Sequence, residues 1–212
     1  MQTWPMRFLI LSSCIFLLTA CDTVYKSLPK TNGSISSLSR FRPEFSVALY
    51  STSVDVVGNH LSGLLLIKKM PDSSLRMVFS NEMGFKFFDF EFAADGNFKV
   101  YAIIKKMNRK SVIKTLRKDF ELVLMQHLDA SPLTVRQDSS GNRYYILPQT
   151  KGYNCYITNA DGSELLRAER ASPSKPIAQY YMGGNSNGIP DTIGITHLNF
   201  DFTIGLKRLE RQ

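Results

Sequence analysis

The chain has 212 residues, 43% of them hydrophobic, with 26 Lys+Arg against 18 Asp+Glu and a formal net charge of +8. That length fits one domain, and the apolar content excludes an intrinsically disordered chain. Fourteen Phe and nine Tyr against a single Trp lean towards strands, where aromatic side chains pack well.

The N-terminus reads as an export signal. Met1 to Arg7 carries one positive charge, and Phe8 to Leu18 is apolar apart from Ser12 and Ser13. Such a run is too short to cross a hydrocarbon layer as a helix, which takes roughly 20 residues. A charged start, a short apolar stretch and small residues at the end describe a secretory leader. Leu18-Thr19-Ala20-Cys21 resembles the lipobox of bacterial lipoproteins. That resemblance implies cleavage after residue 20 and acylation of the Cys21 thiol, which supplies the nucleophile for lipid attachment. It also implies a place in the bacterial cell envelope, at the outer membrane, held by lipid. Each buried CH₂ contributes about 0.8 kcal/mol, so two or more acyl chains, palmitate among them, hold a protein firmly on a bilayer.

Of three cysteines, Cys14 leaves with the leader and Cys21 is lipidated, so Cys155 has no intrachain disulfide partner. It sits in the strand-like "GYNCYIT" and reads as a buried, inert thiol.

Asp22 to Arg40 is rich in Ser, Lys, Asn, Gly and Pro and reads as a flexible tether spanning about 25 Å, with a short helical turn possible in "SISSLSRF". The expected division is leader 1–20, lipidated N-terminus and tether 21–44, and folded domain 45–212. From Phe45 the pattern turns to strands: "FSVALYS", "SGLLLIKK", "LRMVFSN", "FKFFDFEF" and "FKVYAII". Turn signals such as Pro71-Asp72 and Asp95-Gly96 separate them. These connections are too short for parallel crossovers, so neighbours are antiparallel.

One long helix follows, over about residues 108–127. Asn108 suits its cap, and Ile113, Leu116, Phe120, Val123 and Leu124 form a stripe at helical spacing. Its end, "FELVLMQ", is apolar nearly all round, which predicts more than one burial partner. Seven further strand-like stretches follow, for about twelve in all. An antiparallel sheet of that size twists, curls and must hide its edges. A curled sheet with the helix on its concave side meets those demands. In "FKFFDFEF", Phe88, Phe90 and Phe92 share one face, with Phe85 and Phe87 on the other. That predicts two apolar faces, while Asp89 and Glu91 read as residues of a half-solvated strand.

The order of leader, polar segment, strands, helix and strands carries a family resemblance. So do Gly63, the apolar strand ending in basic residues, Leu75-Arg76 and Met83-Gly84 within "GNHLSGLLLIKKMPDSSLRMVFSNEMGFKFFDFEF". The chain resembles the LolA/LolB-like half-barrels, the carriers and receptors of lipoprotein localisation, and especially lipoproteins of that superfamily in Bacteroidetes-type bacteria. The resemblance implies a mainly β half-barrel of about 11–12 strands with a lid helix over an apolar cavity that holds acyl chains. Leu64, Leu66, Met77, Phe79, Phe88 and Phe90 would line that cavity, with Ile113, Leu116 and Phe120 from the lid. The protruding apolar loop of the family's receptor maps onto Met83. The chain departs from the carriers in having one clear lid helix.

Chemistry has little support. His60, His127 and His197 are scattered and lack metal-ligand spacing. "NADGSELL" lacks the glycine and bidentate glutamate of a calcium loop. "GGNSNG" lacks the Lys-Ser/Thr and helix of a phosphate loop, and no G-x-S-x-G is present. No enzyme activity, cofactor or metal is expected, though a cluster of Ser, His and Asp in space would revive a hydrolase.

Without the leader's Arg7 the charge is about +7, and seven positive charges fall between Lys105 and Lys118. Nucleic acid is disfavoured for an exported, lipid-held protein. Met83, Lys110, Lys114, Arg117 and Lys118 are the candidate membrane contacts, since each basic residue near an anionic surface contributes about 1 kcal/mol. The expected function is a non-enzymatic envelope lipoprotein that binds lipid or lipoprotein acyl chains. The alternative is a structural or interaction lipoprotein with a filled barrel and a protein partner. A cavity of several hundred Å³ marks the first, and a packed interior the second.

Overall fold

A computed structural model describes residues 24–126, 128–130, 132–184 and 187–209. The expected leader, Cys21 and His127 lie outside these residues. Twelve antiparallel strands form one sheet: β1 (Val47–Val56), β2 (Asn59–Lys69), β3 (Leu75–Ser80), β4 (Lys86–Phe92), β5 (Phe98–Ile103), β6 (Thr134–Gln137), β7 (Arg143–Pro148), β8 (Tyr153–Thr158), β9 (Leu165–Ala171), β10 (Pro176–Gly183), β11 (Thr192–His197) and β12 (Phe202–Leu209). Two helices join them, α1 (Ile35–Ser39) and α2 (Lys110–Val123), with a 3-10 turn at Leu128–Ala130.

The strand order is β5-β4-β3-β2-β1-β12-β11-β10-β9-β8-β7-β6. Each half is a meander, and β1 pairs with β12 from Leu49↔Leu209 to Val56↔Phe202 to join them. The two edges, β5 and β6, are therefore consecutive in sequence and far apart in the sheet. The chain between them has to pass the sheet, and α2 does so over the concave face. Fourteen helical residues span about 21 Å, close to the length of a six-residue strand, so α2 fills the trough from end to end. The result is a curled, unclosed half-barrel, as expected.

The concave face holds the main core. Leu65, Ile67, Met77, Phe79, Phe88, Phe90, Phe92, Tyr156, Tyr180, Ile195 and Ile204 are buried there with Leu116 and Phe120 of α2. Each fully buried side chain of this size contributes about 1.5–3 kcal/mol.

Three expectations change. First, residues 24–40 are not a free coil. Val24 N–H donates to Pro173 O at 2.9 Å, Gln137 N–H to Pro29 O at 3.0 Å and Thr31 N–H to Val135 O at 3.0 Å. The segment covers the β6 edge, whose open backbone groups need partners. Tyr25 lies on the outer face among Ile146, Cys155, Ile157 and Ala171, and Leu38 of α1 is fully buried in the main core.

Second, α2 is shorter than the expected 108–127. Its N-cap is Arg109, not Asn108, and the Arg109 side chain makes no capping hydrogen bond. It ends early because Met125 takes a left-handed conformation, φ 50°. Gln126 N–H then reaches Glu121 O and Met125 N–H reaches Leu122 O, each at 3.0 Å. This is the helix stop that glycine usually makes, here made by methionine. The apolar end is buried in the main core: Phe120 packs on Phe88 and Phe92, and Leu122, Leu124 and Met125 belong to the same cluster, which also takes in Leu38 and Phe45.

Third, the outer face of β3 to β5 is ionic, not apolar. Arg76 pairs with Asp89 and Glu91, Lys86 with Asp89 and Lys99 with Glu91, and the Arg76 guanidinium lies 3.5 Å over the Tyr101 ring. Asp89 and Glu91 are buried beneath these long side chains instead of half-solvated.

Candidate functional site

The space between α2 and the sheet is the candidate site, and its two flanks differ in chemistry. Towards β1 to β4 and β12 the contact is apolar and leaves an unfilled void of about 50 Å³. Val54, Val56, Leu61, Leu65, Phe79, Phe88, Phe202 and Ile204 line it from the sheet, and Met107, Leu116 and Phe120 from the helix side. Thr52 is the one polar residue in the lining, and its hydroxyl is turned to Tyr50 O. A void with such walls offers water too few partners and stays dry.

Towards β9 to β11 the contact is polar. Asp119 is fully buried. Its carboxylate accepts from Tyr180 Oη at 2.7 Å, lies 3.0 Å from His197 Nε2, and sits 2.9 Å from Arg170 Nη1. Three neighbouring strands thus converge on one acid of α2. Burial raises the Tyr180 pKa well above its ordinary value, and the Asp119 charge raises it further, so Tyr180 stays a donor. Arg170 Nε is buried without a hydrogen-bond partner among the described residues. Beside this cluster, burial lowers the pKa of the Lys118 ammonium, and Arg170 and Lys114 add to the effect.

The sequence-derived lining divides on strand parity. Phe79, Phe88, Leu116 and Phe120 line the void. Met77 and Phe90 are buried in the same core without reaching it. Leu64 and Leu66 point the other way: Leu65 pairs with Phe79 and Ile67 with Met77, so the inward face of β2 is one residue out of step with the expectation. Ile113 is half-buried beside the apolar stripe, and Val112 takes its place against the core.

Among the candidate membrane contacts, Met83 is 88% exposed, and Lys110 and Lys114 are exposed. Arg117 is engaged: it pairs with Glu121 at 2.6 Å, donates to Gly96 O and lies over Phe98. Sequence reasoning missed Asp119. The signal was an acid between Leu116 and Phe120 on the apolar stripe, and its partners are 51 to 78 residues away in sequence.

Among the described residues, no second cluster of reactive side chains accompanies the Asp119 site. His60 Nδ1 lies 2.6 Å from Asp55 Oδ1 on the outer face, and among the described residues no hydroxyl joins them by a hydrogen bond. Among the described residues no group of three or more His, Cys, Asp or Glu could hold a metal ion, and no helix is long and apolar enough to cross a membrane. Cys155 is fully buried under Tyr25, and burial raises its thiol pKa well above the ordinary range.

No family model matches the sequence, and no curated protein does. Among solved structures, the chain is similar to a DUF1329 family protein from Desulfovibrio piger, at 11% identity over 82% of this chain and 88% of that one, with a TM-score of 0.46. It is also similar to a "putative outer membrane lipoprotein-sorting protein domain" from Vibrio parahaemolyticus, at 7% identity over 83% and 89%, with a TM-score of 0.45.

Proposed function

We propose that the chain is a non-enzymatic lipoprotein of the bacterial envelope, held by acylated Cys21, whose half-barrel takes up a single apolar chain between α2 and the sheet. The observation that carries this reading is the lining beneath Leu116 and Phe120, walled by aliphatic and aromatic side chains, although the volume of the closed form is that of a packed interior and not the several hundred Å³ of a preformed cavity. Ligand sites of such proteins run to about 300–1,000 Å³, so the closed form at about 50 Å³ has no room for an acyl chain. Loading therefore requires α2 to move away from β2 to β4. Burial of the ligand at roughly 25 cal/mol per Å² would offset the packing given up. The ligand class is a lipid tail, whether of a free lipid or of a lipoprotein.

The experiment is a titration of the chain with a fluorescent fatty acid such as dansyl-undecanoic acid, followed by displacement with palmitate. Saturable binding is expected, competed by palmitate and weakened by Leu116→Trp, which fills the void. Absence of saturable binding, both in the natural chain and in a variant whose helix is loosened at Asp119, would sink the proposal.

A second reading rests on the same volume. An interior this well filled suits a structural or interaction lipoprotein, with the half-barrel as a rigid body and the outer face meeting an envelope protein. Failure of both fatty-acid titrations would leave this reading standing.

A further inference from the structure

The register sorts the turns between two ends of the sheet. One end carries the turns at 57–58, 81–85, 149–152, 172–175 and 198–201, together with 104–109 leading into α2. Hydrogen bonds tie several of these together: Val57 N–H to Asp201 O, and Leu198 N–H to Ile177 O, both at 2.9 Å. Large apolar side chains stand exposed at their tips: Val57, Met83, Phe85, Leu198 and Phe200. The turns of the opposite end, at 71–73, 93–97, 138–142, 159–164 and 184–191, expose no large apolar side chain among the described residues, though Val47 and Leu209 are exposed at the strand ends there; these turns carry Asp72, Asp95, Asp138, Asp161, Glu164 and Asp191 instead.

Positive charge is present at both ends, with Lys68, Lys69, Lys99 and Lys207 exposed at the far one, but there it stands among the acidic turns. Lys105, Lys106, Arg109, Lys110, Lys151 and Lys175 are exposed at the apolar-tipped end, where Glu82 and Asp201 are the acids of the turns. The described chain also begins there, since Val24 is bonded to Pro173 of the 172–175 turn. In sequence, the described chain starts three residues after Cys21, the expected lipid attachment point. Part of the void's lining lies at this end too: Val56, Met107 and Phe202 adjoin these turns.

We infer that this rim, with Val57, Met83, Phe85, Leu198 and Phe200 as its apolar tips, docks on the surface of an anionic phospholipid bilayer and presents the α2 end of the half-barrel to the lipid. Scattered exposed apolar residues are ordinary on a protein surface. Five on three adjacent turns of one end, flanked by lysines and at the end where the described chain begins, match the boundary between acyl chains and anionic headgroups. The inference rests on the envelope-lipoprotein reading for its anchor but not on ligand uptake, so the test separates them.

The test uses the full acylated chain in phosphatidylcholine vesicles with and without phosphatidylglycerol. A polarity-sensitive probe goes on Met83→Cys, on Leu198→Cys and, at the far end, on Asp161→Cys, with buried Cys155 left unlabelled. Brominated lipids should quench the two rim probes and spare the one at position 161. A second arm uses the unacylated Cys21→Ser chain. Its partitioning onto anionic vesicles should weaken about fivefold for each of Lys106→Gln and Lys110→Gln, while binding to neutral vesicles stays the same. Equal quenching at both ends, no quenching at the rim, or partitioning indifferent to the lysines would each overturn the docking surface. Fatty-acid binding can fail while the quenching pattern stands, and the reverse.

Discussion

Replacing Asp119 with alanine tests the polar flank of α2 most directly. Asp119 has no solvent exposure and meets Tyr180 Oη at 2.7 Å, His197 Nε2 at 3.0 Å and Arg170 Nη1 at 2.9 Å. The Arg170 side chain is only 11% exposed, so in the variant a guanidinium stays buried without its counter-charge. Breaking one side of a buried ion pair costs about 3–5 kcal/mol, which in a domain of this size lowers Tm by roughly 6–20 °C. Urea denaturation followed by far-UV circular dichroism measures the loss. The Asp119→Leu, Arg170→Met double variant removes both charges and should recover most of it, because a packed apolar pair of similar volume replaces a buried ion pair at little cost. A loss below about 1 kcal/mol in Asp119→Ala, or a double variant weaker than the single, would refute the claim that this carboxylate fastens α2 to the sheet.

Other perturbations give separate readings. A Cβ on Gly63 would lie 2.1 Å from the backbone oxygen of Ser80, so Gly63→Ala should force β2 and β3 apart and cost about 1–3 kcal/mol in chemical denaturation; an unchanged midpoint would contradict the register. Arg109→Asp puts an acceptor at the uncapped start of α2 and should add about 1 kcal/mol, a rise of 2–4 °C in the melt; the same change removes a rim charge and should reduce vesicle partitioning. Burial pushes Asp89 upwards, but its bonds from Arg76 and Lys86 outweigh this and hold its pKa below the ordinary value. Its folded pKa being the lower one, its contribution is full above the ordinary carboxylate range and disappears as pH falls through the folded value. Arg76→Met should flatten that acid limb in pH-dependent melts; an unaltered limb would assign it to other groups.

The fold was legible because its signals are local. Asp-Gly turns between apolar runs specify hairpins, and a run of hairpins leaves only a meander. What escaped the sequence was whatever depends on distant partners. β2 reads Leu64-Leu65-Leu66-Ile67 without alternation, so its inward face is decided by pairing with Phe79 and Met77, and a one-residue slip turns every side chain over. Nothing in the polar composition of residues 24–40 shows that Tyr25 will bond Glu169 at 2.8 Å, 144 residues away. The end of α2 was missed for a different reason, since methionine at a left-handed position carries none of glycine's signal.

The unequal flanks of α2 also set how it could open. Freeing Leu116 and Phe120 from the β2 to β4 side gives up about 1.5–3 kcal/mol apiece, and an incoming acyl chain restores that contact with its own surface. Freeing Asp119 strands a buried charge, and a hydrocarbon chain offers it no partner. On the ligand-uptake reading the polar flank would act as the hinge and the apolar flank as the door, with the segment 104–109 and the β5 edge on the moving side. Hydrogen exchange measures this. Amides of β4 and β5 should exchange faster than those of β10 and β11 in the free chain, and should slow selectively when dansyl-undecanoic acid is added. Equal protection on both flanks, or slowing confined to β10 and β11, would place the opening on the wrong side of the helix and remove the route proposed for the ligand.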